Sequence, residues 1–92
     1  MEGLGTFVRE VIGALRPVLP AETLDHVGFA LETGHPSKAL IEAISGAVTY
    51  EVTVPARMVD KLRDQLVEGS FGRRDARTLN RLLPRLRTDT GT

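Results

Sequence analysis

The first hydrophobic positions of the chain repeat with the period of an α-helix. They are separated by one, three or four residues and fall on one apolar stripe: Leu4, Phe7, Val8, Val11, Ile12 and Leu15. Pro17 and Pro20 end this stripe, because proline lacks the amide hydrogen that a helix interior needs. The pattern therefore predicts an amphipathic helix over residues 4–16.

Three further helices are predicted to begin at an X-Pro step. Proline is favoured in the first helical turn, where its missing amide has no intrahelical partner. Gly34 and Gly69 stand where the first and last of these helices should end, and glycine readily adopts the left-handed conformation found there. The three predicted helices cover residues 20–33, 36–48 and 55–68.

A fifth helix is predicted over residues 75–87, with Pro84 either kinking it or ending it near Leu83. The polar residues 88–92 read as a flexible tail. One domain over residues 1–87 is expected, since the chain has only 92 residues. Its predicted core comprises Phe7, Val11, Ile12, Leu15, Leu24, Val27, Leu31, Leu40, Ile44, Met58, Leu62, Leu66, Leu79 and Leu82.

One stretch alternates with a period of two instead. Val48, Tyr50, Val52 and Val54 are separated by polar residues, as in a β-strand. A single strand needs a partner from a second copy of the chain or from another protein. We expect instead an extended connector near residues 49–54 whose apolar side chains enter a helical core. The predicted fold is all-α, a compact bundle of about five short helices. A monomer is expected and a dimer stays open.

Charge is distributed unevenly along a chain whose formal net charge is zero. Residues 1–56 contain three basic and seven acidic side chains, whereas residues 73–92 contain six arginines and two aspartates. The absence of cysteine excludes disulfides and thiolate metal sites. Neither a leader nor an apolar run of membrane-spanning length is evident, so we expect a cytoplasmic protein without a membrane partner.

No catalytic pattern emerges. His26 and His35 are nine residues apart, which is not a helical metal-ligand spacing. The acidic pairs Glu22 with Asp25 and Asp60 with Asp64 share helix faces, but the second pair is interleaved with basic residues as on a solvated surface. We therefore predict a protein that is not an enzyme and that has no catalytic residues, metal site or cofactor.

The middle of the chain resembles the MafI-like family of small bacterial immunity proteins over roughly residues 5–70. The resemblance rests on loose, mostly apolar motifs. They are a helix beginning at Leu19-Pro20, the corner Glu32-Thr33-Gly34-His35-Pro36 followed by Ala39-Leu40-Ile41-Glu42, the short link from Tyr50 to Pro55, and the helix led by Met58, Val59 and Leu62.

The resemblance implies a protein that neutralises a cognate bacterial toxin domain, such as a contact-delivered nuclease, by stoichiometric inhibition. An acidic surface suits a basic toxin, because carboxylates mimic the substrate phosphates and accelerate association. Tyr50 is the candidate aromatic anchor. The candidate acidic contacts are Glu22, Asp25, Glu32, Glu42 and Glu51.

Two alternatives remain. A strand over residues 48–54 followed by two helices is similar to the ribbon-helix-helix fold of repressors and antitoxins, in which paired strands read DNA. The arginines of the last helix would then contact phosphates. Glu51 counts against this reading, because a carboxylate on a DNA-facing ribbon is repelled by phosphates. The other alternative is a helical interaction domain without a toxin partner.

Overall fold

The computed structural model describes residues 4–89 and confirms a mostly helical fold. Five α-helices and a short 3₁₀ turn account for most of this range, and two short strands form a small sheet. The elements in chain order are α1 (Leu4–Leu15), α2 (Ala21–Glu32), α3 (Pro36–Thr49), β1 (Thr53–Pro55), α4 (Ala56–Val67), α5 (Arg73–Leu82), the 3₁₀ turn (Leu83–Arg85) and β2 (Arg87–Asp89).

Helices α2 and α3 form an antiparallel hairpin with a tight corner. Gly34 has φ +77°, a left-handed conformation that glycine adopts without steric cost. The amide of His35 donates to the carbonyl of Ala30 over 2.8 Å, and Pro36 occupies the first turn of α3. The predicted helix end and the predicted proline start are therefore both present, with boundaries shifted by about one residue.

Helix α3 is the centre of the bundle, because α1, α2 and α5 all pack against it. Its buried side is made of small and medium residues, which let neighbouring helices approach closely. Those buried residues are Ala39, Leu40, Ala43, Ile44, Gly46 and Ala47. Leu40 and Ile44 belong to the predicted core, and Ala43 and Ala47 fall on the same apolar stripe of the sequence, at spacings of three and four residues.

Most of the predicted core is confirmed. The buried members are Phe7, Val11, Ile12, Leu15, Val27, Leu40, Ile44, Leu62 and Leu79. Five others are half-buried at the edge of the core: Leu24, Leu31, Met58, Leu66 and Leu82. On α4 the buried positions are Val59 and Leu62, so the helix is rotated slightly from the orientation that the Met58, Leu62 and Leu66 stripe predicted.

The last helix differs from its predicted range. It begins at Arg73 and ends at Leu82, and the chain then tightens into the 3₁₀ turn that contains Pro84. Proline cannot donate the hydrogen bond that would continue the α-helix, so the chain changes its winding there. Leu86 follows in an extended conformation and is buried.

The prediction of an extended connector near residues 49–54 is correct only for its second half. Thr49 is the last residue of α3, and Tyr50 and Glu51 form a turn in which Glu51 has φ +54°. Local helix geometry therefore overrides the alternating pattern up to this turn. Val54 is fully buried, as expected for a connector side chain that enters the core.

The partner of β1 lies within the same chain. β1 and β2 pair in parallel, with Val54 opposite Thr88 and Pro55 opposite Asp89. The expectation that such a strand needs a second molecule was wrong. The sequence did not reveal β2 as the partner, because β2 has no alternating apolar pattern. Thr88 and Asp89, assigned to the polar tail, belong to this strand, whereas residues 90–92 of that tail lie outside the described residues.

Candidate partner-binding site

One side of α2 presents carboxylates around an exposed aromatic ring. Glu22, Asp25, Phe29 and Glu32 are spaced by three or four residues, which places them on the same side of the helix. All four are exposed, and Phe29 leaves 68% of its surface accessible. The opposite side carries the buried Val27 and Ala30. We call the residues Glu22, Asp25, Phe29 and Glu32 the α2 face.

A cleft adjoins the α2 face where the end of α2 meets the start of α3. It has a volume of about 430 Å³ and combines one aromatic ring with several polar side chains. Glu42, which is half-buried, reaches it from α3, as does the exposed Lys38. The lining residues are His26, Phe29, Ala30, Thr33, His35, Lys38 and Glu42.

Side-chain hydrogen bonds hold the corner at the base of this cleft. The Thr33 hydroxyl donates to the carbonyl oxygen of Phe29 over 2.9 Å and lies 3.2 Å from that of Ala30. His35 Nδ1 is 3.1 Å from Thr33 Oγ1. Both carbonyls also accept a backbone amide, that of Phe29 from Thr33 and that of Ala30 from His35, so the Thr33 side chain adds a further donor at the end of α2. These hydrogen bonds therefore stabilise the turn that carries Phe29 in the free protein.

The structure brings together only part of the predicted interface. Glu42 lines the same cleft as Phe29, and Asp25 and Glu32 share the helix side on which Phe29 stands. Tyr50 is 53% exposed but lies eight residues beyond Glu42, about 12 Å along the helix axis at 1.5 Å per residue. It does not line the cleft.

Glu51 does not line the cleft either. Its carboxylate accepts a hydrogen bond from Arg87 Nη2 on β2, and both side chains are exposed. The residue therefore has a structural partner in the chain itself. Glu22 stands in the first turn of α2, at the opposite end of the helix from Glu32.

Phe29 is the site residue that the sequence analysis missed. A signal was present, since Phe29 lies seven positions after Glu22 and four after Asp25, on the polar side of the helix. A large aromatic residue among charged side chains is the kind of residue on which protein interfaces centre. His26 and Lys38, which also line the cleft, carried no such signal.

The site offers ion pairing and the burial of a ring. Among residues 4–89, no polar or charged side chain is buried and no group of three or more metal-ligating side chains occurs. Every helix in this range is too short or too polar to traverse a lipid bilayer. Comparisons of the chain with protein-family models, curated proteins and solved structures gave no significant match.

Proposed function

We propose that this protein is an immunity protein that binds a cognate bacterial toxin domain and inhibits it without chemistry of its own. The observation that carries the proposal is the exposure of Phe29 in the middle of an acidic helix face. Protein interfaces are held mainly by a few large side chains that become buried, surrounded by polar contacts. Phe29 and its flanking carboxylates have this arrangement.

The charge of the α2 face indicates the chemistry of the partner. Glu22, Asp25 and Glu32 are exposed, and the ion pairs of Lys61 with Glu10 and of Arg87 with Glu51 do not involve them. Unpaired surface carboxylates attract a basic surface and accelerate association through long-range electrostatic steering. A nuclease has such a basic surface where it binds phosphates. We therefore propose that this protein acts in the cytoplasm on a nuclease toxin domain, with the α2 face covering the phosphate-binding region of that domain.

The adjoining cleft gives the partner a place to insert a side chain. A basic side chain entering it would meet the ring of Phe29 and the carboxylate of Glu42, in a cleft that Lys38 also lines. Contact of a cation with an aromatic face is favourable by about 0.5–2 kcal/mol, depending on desolvation. Burying Phe29 itself contributes about 1.5–3 kcal/mol. Together these contributions suit a specific complex.

The ribbon-helix-helix alternative loses its structural basis. That reading needs residues 48–54 as a strand paired with a second chain, but Val48 and Thr49 belong to α3. The strand that does form, β1, pairs in parallel with β2 of the same chain. A ribbon-helix-helix dimer requires antiparallel strands from two chains, so we do not carry this alternative further.

The test uses the C-terminal domain of the protein that the neighbouring open reading frame encodes. We expect the purified protein to bind that domain at a 1:1 ratio in isothermal titration calorimetry and to protect cells that express it. Phe29→Ala should weaken binding about 10- to 100-fold, the effect expected of a central aromatic contact. Alanine is a good helix former, so α2 should stay folded.

Val67→Ala provides the matched control. Val67 is 86% exposed on α4 and is the other strongly exposed apolar residue on a helix surface. Its substitution should leave the affinity within about twofold. Equal effects of the two substitutions would remove the α2 face from the interface. If the wild-type protein neither binds nor protects, the immunity function is wrong, and a helical interaction domain with another partner takes its place.

A further inference from the structure

The outer side of α5 carries a basic surface that the proposed function does not use. Arg73, Arg77 and Arg81 follow one another at four-residue intervals, about 6 Å apart along the helix axis. Arg74 and Thr78 lie beside them, and the five residues line a shallow depression of about 410 Å³. We call these four arginines, 73, 74, 77 and 81, the α5 arginine face.

This positive charge is not neutralised within the described part of the chain. The ion pairs of Lys61 with Glu10 and of Arg87 with Glu51 include no arginine of α5. Asp75 is the acidic residue of this helix; it is half-buried and does not line the depression. The depression itself contains no carboxylate. The α5 arginine face is therefore available for an anion from outside.

The geometry points to the phosphate backbone of a nucleic acid as its ligand. Guanidinium groups bind phosphate through two parallel hydrogen bonds, and arginine is favoured over lysine where such recognition occurs. Three guanidinium groups in a row present one positive charge per helical turn to a row of negative charges. Thr78 lies beside them, but its hydroxyl donates to the carbonyl oxygen of Arg74 over 3.1 Å, so the guanidinium groups are the donors for phosphate oxygens.

The composition of the face favours a nucleic acid over a membrane or a protein. A helix that lies on a lipid surface needs large apolar side chains to enter the bilayer. The exposed large apolar residues of residues 4–89 are Val18, Phe29, Tyr50 and Val67, and none of them belongs to α5. Protein interfaces also centre on a buried apolar or aromatic residue. Binding that rests on charge alone is typical of sequence-independent contact with nucleic acid.

This inference does not depend on the toxin partner. The α2 face and the α5 arginine face are on different helices, each of which packs against α3. They also carry opposite charges, so a ligand that suits one is repelled by the other. Substitutions in the α5 arginine face should therefore leave toxin binding intact, and substitutions in the α2 face should leave nucleic-acid binding intact. Each proposal can be disproved without the other.

Fluorescence anisotropy with a labelled 20-base-pair DNA duplex of arbitrary sequence tests the proposal. Three or four phosphate contacts predict that binding weakens about 40- to 150-fold when NaCl is raised from 50 to 200 mM. The triple substitution Arg73→Gln, Arg77→Gln and Arg81→Gln should weaken binding at 50 mM NaCl at least 10-fold and remove most of the salt dependence. Glutamine is a good helix former, so circular dichroism should be unchanged.

Two further variants make the result decisive. Arg9→Gln, Arg16→Gln and Arg57→Gln together remove the same net charge from exposed positions outside α5, and should change the affinity by less than threefold. Replacing Arg73, Arg77 and Arg81 by lysine keeps the charge and should preserve the salt dependence, with a smaller loss of affinity than the glutamine triple. This lysine variant also reports on the site if the glutamine triple loses helicity.

Three results would overturn the proposal. The first is no change in anisotropy at 50 mM NaCl with up to about 100 μM protein, the weak end of sequence-independent binding. The second is an equal loss of affinity in the two glutamine triples, which would show a response to net charge alone. The third is stronger binding to vesicles containing anionic phospholipid than to the duplex, which would assign the face to a membrane.

Discussion

Gly46 of α3 lies directly against Thr23 of α2. A Cβ atom placed on Gly46 would be 2.8 Å from Thr23 Cγ2 and 3.3 Å from Leu19 Cδ2, closer than packed carbon atoms normally approach. Thr23 is β-branched, and its side chain has few alternative rotamers in a helix. It therefore cannot easily move away from a Cβ atom added at Gly46. This contact sets how closely the two helices cross, and the hairpin that carries the α2 face depends on it.

Gly46→Ala should therefore destabilise the protein by about 1–2 kcal/mol. Overpacking of a tight contact costs about 1–3 kcal/mol, and the better helix propensity of alanine returns up to about 1 kcal/mol. Chemical denaturation followed by circular dichroism measures the difference.

Gly13→Ala and a double substitution are the controls. Nothing lies within 4 Å of a Cβ atom on Gly13 of α1, so there the alanine should stabilise by up to about 1 kcal/mol. In the presence of Gly46→Ala, Thr23→Ala should cost about 1 kcal/mol less than it costs alone, because it relieves the clash. Additive effects of the two substitutions would show that the contact is not limiting.

Reversal of the acidic residues around Phe29 should slow association with the toxin domain. Changing Asp25, Glu32 and Glu42 to lysine turns an attractive field into a repulsive one, so the association rate should fall by at least tenfold at low ionic strength. Stopped-flow fluorescence measures the rate, and circular dichroism should show an unchanged helix content.

The matched control reverses Asp60, Asp64 and Glu68, three exposed acids on or next to α4. It makes the same change in net charge far from the α2 face in sequence. Its effect should be several times smaller than that of the first triple. If protection and association are unchanged in the Asp25, Glu32 and Glu42 variant, these carboxylates do not belong to the interface.

Leu79 should contribute far more to stability than Leu82, although both are leucines on α5. Leu79 is fully buried, whereas Leu82 is half-buried at the edge of the core. Removal of a buried leucine side chain costs about 2–5 kcal/mol, so Leu79→Ala should fall in that range. Leu82→Ala should cost less than about 2 kcal/mol. Thermal and chemical denaturation of the two variants compare them, and equal losses would contradict the orientation of α5.

The turn at Glu51 should tolerate glycine and reject valine. Glu51 has φ +54°, which strains any residue with a side chain and most of all a β-branched one. Glu51→Gly relieves this strain but adds freedom to the unfolded chain and removes the exposed pair with Arg87, so stability should change by less than about 1 kcal/mol. Glu51→Val should cost about 1–2 kcal/mol.

Thr53→Val is the corresponding control for valine. Thr53 is exposed in β1, where an extended backbone favours β-branched residues, so this substitution should be neutral or slightly stabilising. The free energies of unfolding from urea titrations give the comparison. A valine at position 51 that is as well tolerated as one at position 53 would rule out the left-handed turn.

The helices were largely predictable because their signals are local. A proline within the first turn, a glycine at the end and an apolar stripe between them each act over a few residues, as at Pro36 and Gly34. The β1–β2 pairing was not predictable, because Arg87, Thr88 and Asp89 carry no apolar alternation and their partner lies more than 30 residues earlier. Such a pairing depends on how the helices between β1 and β2 pack, because their packing places the two strands side by side.

The negative charge of the candidate site was predictable from the sequence, but the exposed aromatic residue at its centre was not. The acidic surplus of residues 1–56 is a property of the sequence, and Asp25 and Glu32 are exposed as expected. The predicted helix over residues 36–48 already separates Tyr50 from Glu42, and α3, which ends at Thr49, has nearly the same length. The spacing of Phe29 from Asp25 and Glu32 puts it on the polar side of α2, but only the packing of the chain shows that no other segment covers the ring.

By itself the amino-acid sequence determined that this chain forms five short amphipathic helices, where most of them begin, and which end of the chain is acidic and which is basic. Those properties arise from backbone chemistry and from charges that each residue carries wherever it lies. Only the tertiary structure decided that Val54 enters the core beside a strand from the chain terminus, that α3 is the central helix, and that Phe29 remains exposed. Burial is shared among segments distant in sequence, so it is settled when they pack together.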